Sequence, residues 1–70
     1  MGITFIGFGA AVGYVRNRLI KAGAISEETA KLPEEVGLGK DRMALVNNLI
    51  KQGKIGRTLD GRIWWKGHIL

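Results

Sequence analysis

Seven basic side chains, Lys40, Arg42, Lys51, Lys54, Arg57, Arg62 and Lys66, fall within residues 40–70 against only Asp41 and Asp60. Residues 1–39 balance Arg16, Arg18, Lys21 and Lys31 against Glu27, Glu28, Glu34 and Glu35, so the whole net charge of +5 belongs to the second half. Cations concentrated in this way attract polyanions, nucleic acid first and a membrane surface second. The plain alternative is a solvated basic face that keeps the chain soluble.

Residues suited to bond-breaking chemistry are few. His68 is the only histidine and there is no cysteine, so a triad, a thiolate zinc site or a multi-histidine metal site cannot be assembled. The four glutamates fall where they would open helical turns, and the helix dipole explains them there without a metal or an acid–base role. Gly7, Gly9 and Gly13 do not follow the G-x-G-x-x-G order of a phosphate cradle. The expectation is a protein with no catalytic residues, no metal and no cofactor.

The elements that must carry the cations can be read from spacing. Residues 55–59 and 62–65 are strand-forming runs around Asp60-Gly61, a pair that tolerates the positive φ angles of a type I′ turn. This predicts a hairpin over residues 54–66, with Leu59 opposite Arg62, Arg57 opposite Trp64 and Gly56 opposite Trp65. Adjacent tryptophans point to opposite faces of a strand, so one caps the core while the other is more exposed. Arg57 beside Trp64 suits a cation–π contact.

Before the hairpin, Met43, Val46, Leu49 and Ile50 form an inner stripe of a helix over about residues 41–52, with Asp41, Ala44, Asn48 and Lys51 opposite. Val12, Val15, Leu19 and Ala22 mark an earlier helix that stops at Gly23. Ser26 is placed as an N-cap for a second helix from about Glu27, and Pro33 interrupts it, opening a short turn that closes at Gly37. Residues 19–25 and 49–55 agree at five of seven positions, a helix ending at Gly followed by an extended Ile. Both extended segments are therefore expected in one small sheet.

Residues 1–15 are apolar and glycine-rich, shorter than the about 20 residues that span a bilayer and without the basic start of a secretory signal. The expectation is a strand at residues 3–6 leading into a helix from Phe8 or Gly9. No targeting segment is read here, and a chain without cysteine is most naturally cytoplasmic and not membrane-bound.

The stretches LIKAGAISEETAKLPEEVGL, LVNNLIKQGKI and GRTLDGRIWWK, about three quarters of the chain, resemble the winged helix-turn-helix domains of small archaeal and bacterial transcription regulators. The resemblance implies an α+β fold, mainly α, with a three-helix core and a C-terminal β-hairpin wing. Residues 1–70 then form one domain, with residues 1–11 an apolar extension beyond the minimal fold. It also implies a DNA-binding transcriptional regulator whose recognition helix, about 41–52, enters the major groove while the wing, 54–66, touches backbone or minor groove. Carried over by position, the DNA-binding residues are Lys40, Arg42, Asn47, Asn48, Lys51, Arg57, Arg62 and Lys66. Asn suits adenine, Arg suits guanine and Lys suits phosphate. The expected partners are double-stranded DNA and a second copy held through residues 3–12. The competing reading is a winged-helix protein–protein interaction module of a larger complex.

Overall fold

The computed structural model describes residues 3–67, with side chains from residue 10 onward. It is a small α+β domain: helix α1 (Ile3–Lys21), three short 3₁₀ turns (Glu27–Thr29, Pro33–Val36, Lys40–Arg42), helix α2 (Met43–Lys51) and strands β1 (Ile55–Arg57) and β2 (Ile63–Trp65). The strands pair antiparallel.

Both helices end in the same way. Gly23 and Gly53 adopt φ of 79° and 80°. At the first stop the Gly23 N–H donates to Ile20 O (3.0 Å) and the Ala24 N–H to Leu19 O (2.9 Å); at the second, Gly53 donates to Ile50 O (3.0 Å) and Lys54 to Leu49 O (2.9 Å). Each is a Schellman stop, which needs a left-handed residue and so favours glycine. The repeated sequence is thus a repeated backbone device.

β2 joins the two copies. The Trp65 N–H donates to Ala24 O (2.9 Å) after the first stop, and the Lys66 N–H donates to Lys54 O (2.8 Å) after the second. Lys31 and Ile63 exchange both backbone bonds in an isolated bridge, at 3.0 and 2.8 Å. The expected sheet partner at residues 24–25 is reduced to the single bond that the Ala24 carbonyl accepts, and Lys31 supplies the rest of that edge.

The core gathers Val15 and Leu19 from α1, Val46 and Leu49 from α2, Ile55, Ile63 and Trp65 from the strands, and Ala24, Val36 and Leu38 between them. Trp65 is the inward tryptophan and Trp64 is half-buried. Of the predicted inner stripe Val46 and Leu49 are buried while Met43 and Ile50 are half-buried, and Ala22, past the end of α1, is exposed.

Three expectations are corrected. The predicted strand at residues 3–6 is the start of α1, which runs unbroken across residue 11. As a helix this stretch satisfies its backbone hydrogen bonds locally. The second helix is not formed: Thr29 accepts the Ser26 N–H (3.1 Å) and closes a single 3₁₀ turn, and Ala30 (ψ 147°) leaves it extended to reach the Lys31 bridge. Pro33–Val36 is a separate turn, capped by Glu35 Oε1 accepting from the Leu32 N–H (2.9 Å) and ended by Gly37 at φ 78°. Two α-helices, not three, pack on the hairpin.

The hairpin register is also one residue from the expectation: Ile55 faces Trp65, Gly56 faces Trp64 and Arg57 faces Ile63. A type I′ turn needs positive φ at both Asp60 and Gly61, and only Gly61 has it, at 92°. The Thr58 N–H donates to Arg62 O (2.8 Å) and the Gly61 N–H to Thr58 O (3.1 Å), making a three-residue loop, Leu59-Asp60-Gly61. Thr58 selects this loop. Its hydroxyl donates to Asp60 Oδ1 and accepts the Arg62 N–H (3.0 Å). A one-residue slip exchanges neighbours across the pair, so Arg57 stands on the face of Ile55 and Ile63, away from Trp64.

Candidate nucleic-acid interface

On α2, burial of Val46 and Leu49 turns the opposite face outward, and Ala44, Asn47, Asn48 and Lys51 are all exposed. Their spacing of i, i+3, i+4 and i+7 puts them on one stripe. Lys40, four residues before Ala44, is exposed as well. The stripe offers two carboxamides and a cation beside a small methyl, a surface able to donate and accept hydrogen bonds at close range.

Arg42 does not belong to that stripe. It is half-buried, with Cζ 4.5 Å from the centre of the Tyr14 ring on α1. Arg18 Cζ approaches the same ring to 5.8 Å. The Arg18 Nε–H also donates to Val36 O (2.8 Å), and its guanidinium lies where a side chain on Gly37 would fall. Tyr14 and Arg18, four apart on α1, were the legible signal for this brace; Arg42 reaches the ring from the turn that precedes α2, as a guanidinium is drawn to an aromatic face.

On the hairpin Arg57, Arg62 and Lys66 are exposed. Thr58 pairs with Arg62 and Arg57 with Ile63, so by strand alternation the two arginines stand on opposite faces of the hairpin. Arg62 Nε lies 3.1 Å from Asp60 Oδ2, in an exposed ion pair. The Thr58 hydroxyl, and then Arg62, lower the Asp60 pKa below the ordinary carboxylate value. Asp41 is exposed in the 3₁₀ turn before α2, its Oδ1 turned back to 3.1 Å from the place of a Cβ on Gly39.

No family model, curated protein or solved structure matches this chain. Seven of the eight expected DNA-binding residues are exposed, five of them in two groups: Asn47, Asn48 and Lys51 on α2, and Arg57 and Arg62 at the hairpin end. The feature that sequence reasoning missed is Leu59. Expected in a strand opposite Arg62, it is the first loop residue and is fully exposed (108%). His68 lies outside the described residues. Among those described, no three histidine, cysteine or acidic side chains gather as a metal site, and no helix is long and apolar enough to cross a membrane.

Proposed function

We propose that this chain binds double-stranded DNA as a transcriptional regulator of winged helix-turn-helix type, with α2 as recognition helix and the β1–β2 hairpin as wing. The observation that carries the reading is the α2 stripe, whose Asn47, Asn48 and Lys51 are exposed together while the excess charge lies on residues 40–66, the stretch that holds α2 and the hairpin. The element order supports it: α1, an extended edge at Ala24 and Lys31, a middle region, α2 and a hairpin. In this version the 3₁₀ turns at Glu27–Thr29 and Pro33–Val36 stand in the place of the middle helix.

In the proposed division of labour, Asn47 and Asn48 face base edges while Lys40, Lys51, Arg57, Arg62 and Lys66 face phosphates. Arg42 acts by bracing α2 against α1 through Tyr14. The protein is non-enzymatic and without a cofactor, works in the cytoplasm, and pairs with a second copy through residues 3–12.

A second reading, a protein-interaction module, is favoured by one feature. Pro33, Leu38 and Met43 line an open groove with Glu34 and Lys40 at its rim, a surface able to take an apolar side chain.

A salt titration of duplex binding separates the two. Each phosphate neutralised contributes about 0.9 to the slope of log K against log salt, so replacing Arg57 and Arg62 together lowers the slope by about 2 on every sequence. Asn48→Ala instead weakens a preferred site by about 1–3 kcal/mol and leaves random DNA nearly unchanged. Failure of the wild-type chain to bind any duplex at about 50 mM salt overturns the DNA reading and leaves the groove as the functional surface.

A further inference from the structure

We propose that Leu59 is an apolar wedge that enters the DNA minor groove at the hairpin end and unstacks a base step; the inference rests on the DNA reading above. A single exposed leucine is ordinary on a protein surface, and what sets this one apart is how it is held and what surrounds it.

The loop that presents it is closed by the Thr58–Arg62 and Gly61–Thr58 backbone bonds, the Thr58 hydroxyl bonds to Asp60 and Arg62, and the Arg62–Asp60 ion pair. Leu59 is thus held outward at the end of a stapled loop, so inserting it orders little that is not already ordered. Residues 54–66 carry Lys54, Arg57, Arg62 and Lys66 against Asp60 alone, and that carboxylate is engaged by Arg62.

The placement of the cations points to a groove with two anionic walls. Arg57 and Arg62 stand on opposite faces of the hairpin with Leu59 between them in sequence and beyond them in space, at the turn. A hairpin entering the minor groove would set one arginine toward each phosphate wall. That groove is only about 6 Å wide in relaxed B-DNA, so a β-ribbon enters only where the duplex opens. Apolar side chains pushed between base pairs open and kink it in this way, at the flexible pyrimidine–purine steps above all. An anionic membrane is the other surface that would take a leucine among cations. One leucine is a small apolar contribution to membrane anchoring, and the carboxamides of the α2 stripe have no role there.

The test uses the full chain and an end-labelled duplex of about 30 base pairs containing TA steps, with energy transfer between the ends as a readout of bending. Wild type is expected to raise the transfer, whereas Leu59→Ala binds about tenfold more weakly, the equivalent of burying one or two fewer methylenes, and loses the bend. Its salt slope stays at the wild-type value, because the phosphate contacts remain. Leu59→Phe keeps the bend. Leu59 is fully exposed, so these variants fold as the wild type does. Equal affinity and equal bending by wild type and Leu59→Ala overturn the wedge and leave the DNA reading intact. Absence of duplex binding by wild type removes both. Leu59-dependent binding to phosphatidylserine vesicles without any change in duplex bending overturns the wedge in favour of a membrane.

Discussion

Gly56 and Trp64 make the sharpest stability prediction. A methyl group placed on Gly56 would fall inside the Trp64 indole, although the backbone there has no positive φ and would accept alanine. Gly56→Ala must therefore displace the ring. A tryptophan covers about 150–250 Å², and Trp64 is half-buried. Roughly 100 Å² returning to water costs about 2.5 kcal/mol. Lower unfolded-state entropy from the alanine offsets about 0.4–1 kcal/mol, leaving a net loss of about 2. Trp64→Ala removes the same cover and loses about 2.5 kcal/mol on its own. Once the ring is gone the methyl meets nothing, so the double variant should be about as stable as Trp64→Ala, a coupling of about 2 kcal/mol. Urea unfolding followed by far-UV circular dichroism reads all four proteins without depending on the tryptophan signal. Simple additivity, or a Gly56→Ala variant as stable as wild type, refutes the register of the hairpin.

Asp60 gives a pH prediction with a definite sign. Its folded pKa is held down first by the Thr58 hydroxyl and then by Arg62, so its contribution to stability is complete above the ordinary value of 3.8 and disappears as pH falls through the lower folded value. Carboxyl NMR titration should show Thr58→Ala raising the Asp60 pKa toward that ordinary value; no movement would mean that the hydroxyl bond is not formed in solution. Pairing through residues 3–12 is checked by sedimentation at micromolar concentration, where a lone 7.6 kDa species excludes the dimer.

Much of this fold was legible because it depends on local signals. Gly23 and Gly53 each end a run of helical spacing, and the conformation they adopt is set within six residues. The inner stripe of α2 follows from the period of its apolar residues. Where long-range partners decide, sequence reading failed. The region after Ser26 has the composition of a helix, but Ala30 leaves the turn so that Lys31 can pair with Ile63, thirty-two positions away. Asp60-Gly61 is a proper type I′ pair, yet the Thr58 hydroxyl, a residue outside the dipeptide, tips the loop to another geometry. Arg42 looked like a base-reading side chain until Tyr14, on a different helix, gave it a ring to cover. The apolar start of α1 read as a strand because its β-branched and aromatic residues favour one, whereas the helix marked by Val12, Val15 and Leu19 continues back to Ile3.

β2 also fixes when this chain can become a folded object. The carbonyls of Ala24, Lys31 and Lys54 all receive donors from residues 63–66, and Ile63 and Trp65 fill the space between the helices. A chain of residues 3–57 alone holds both helical stretches but lacks the β2 groups that join them and two of the side chains, Ile63 and Trp65, that complete their cover. A nine-residue helix such as α2 is marginal in water without such cover. Assembly is therefore expected to wait for β2 and then proceed in one step, with the hairpin acting as the fastener that closes the protein.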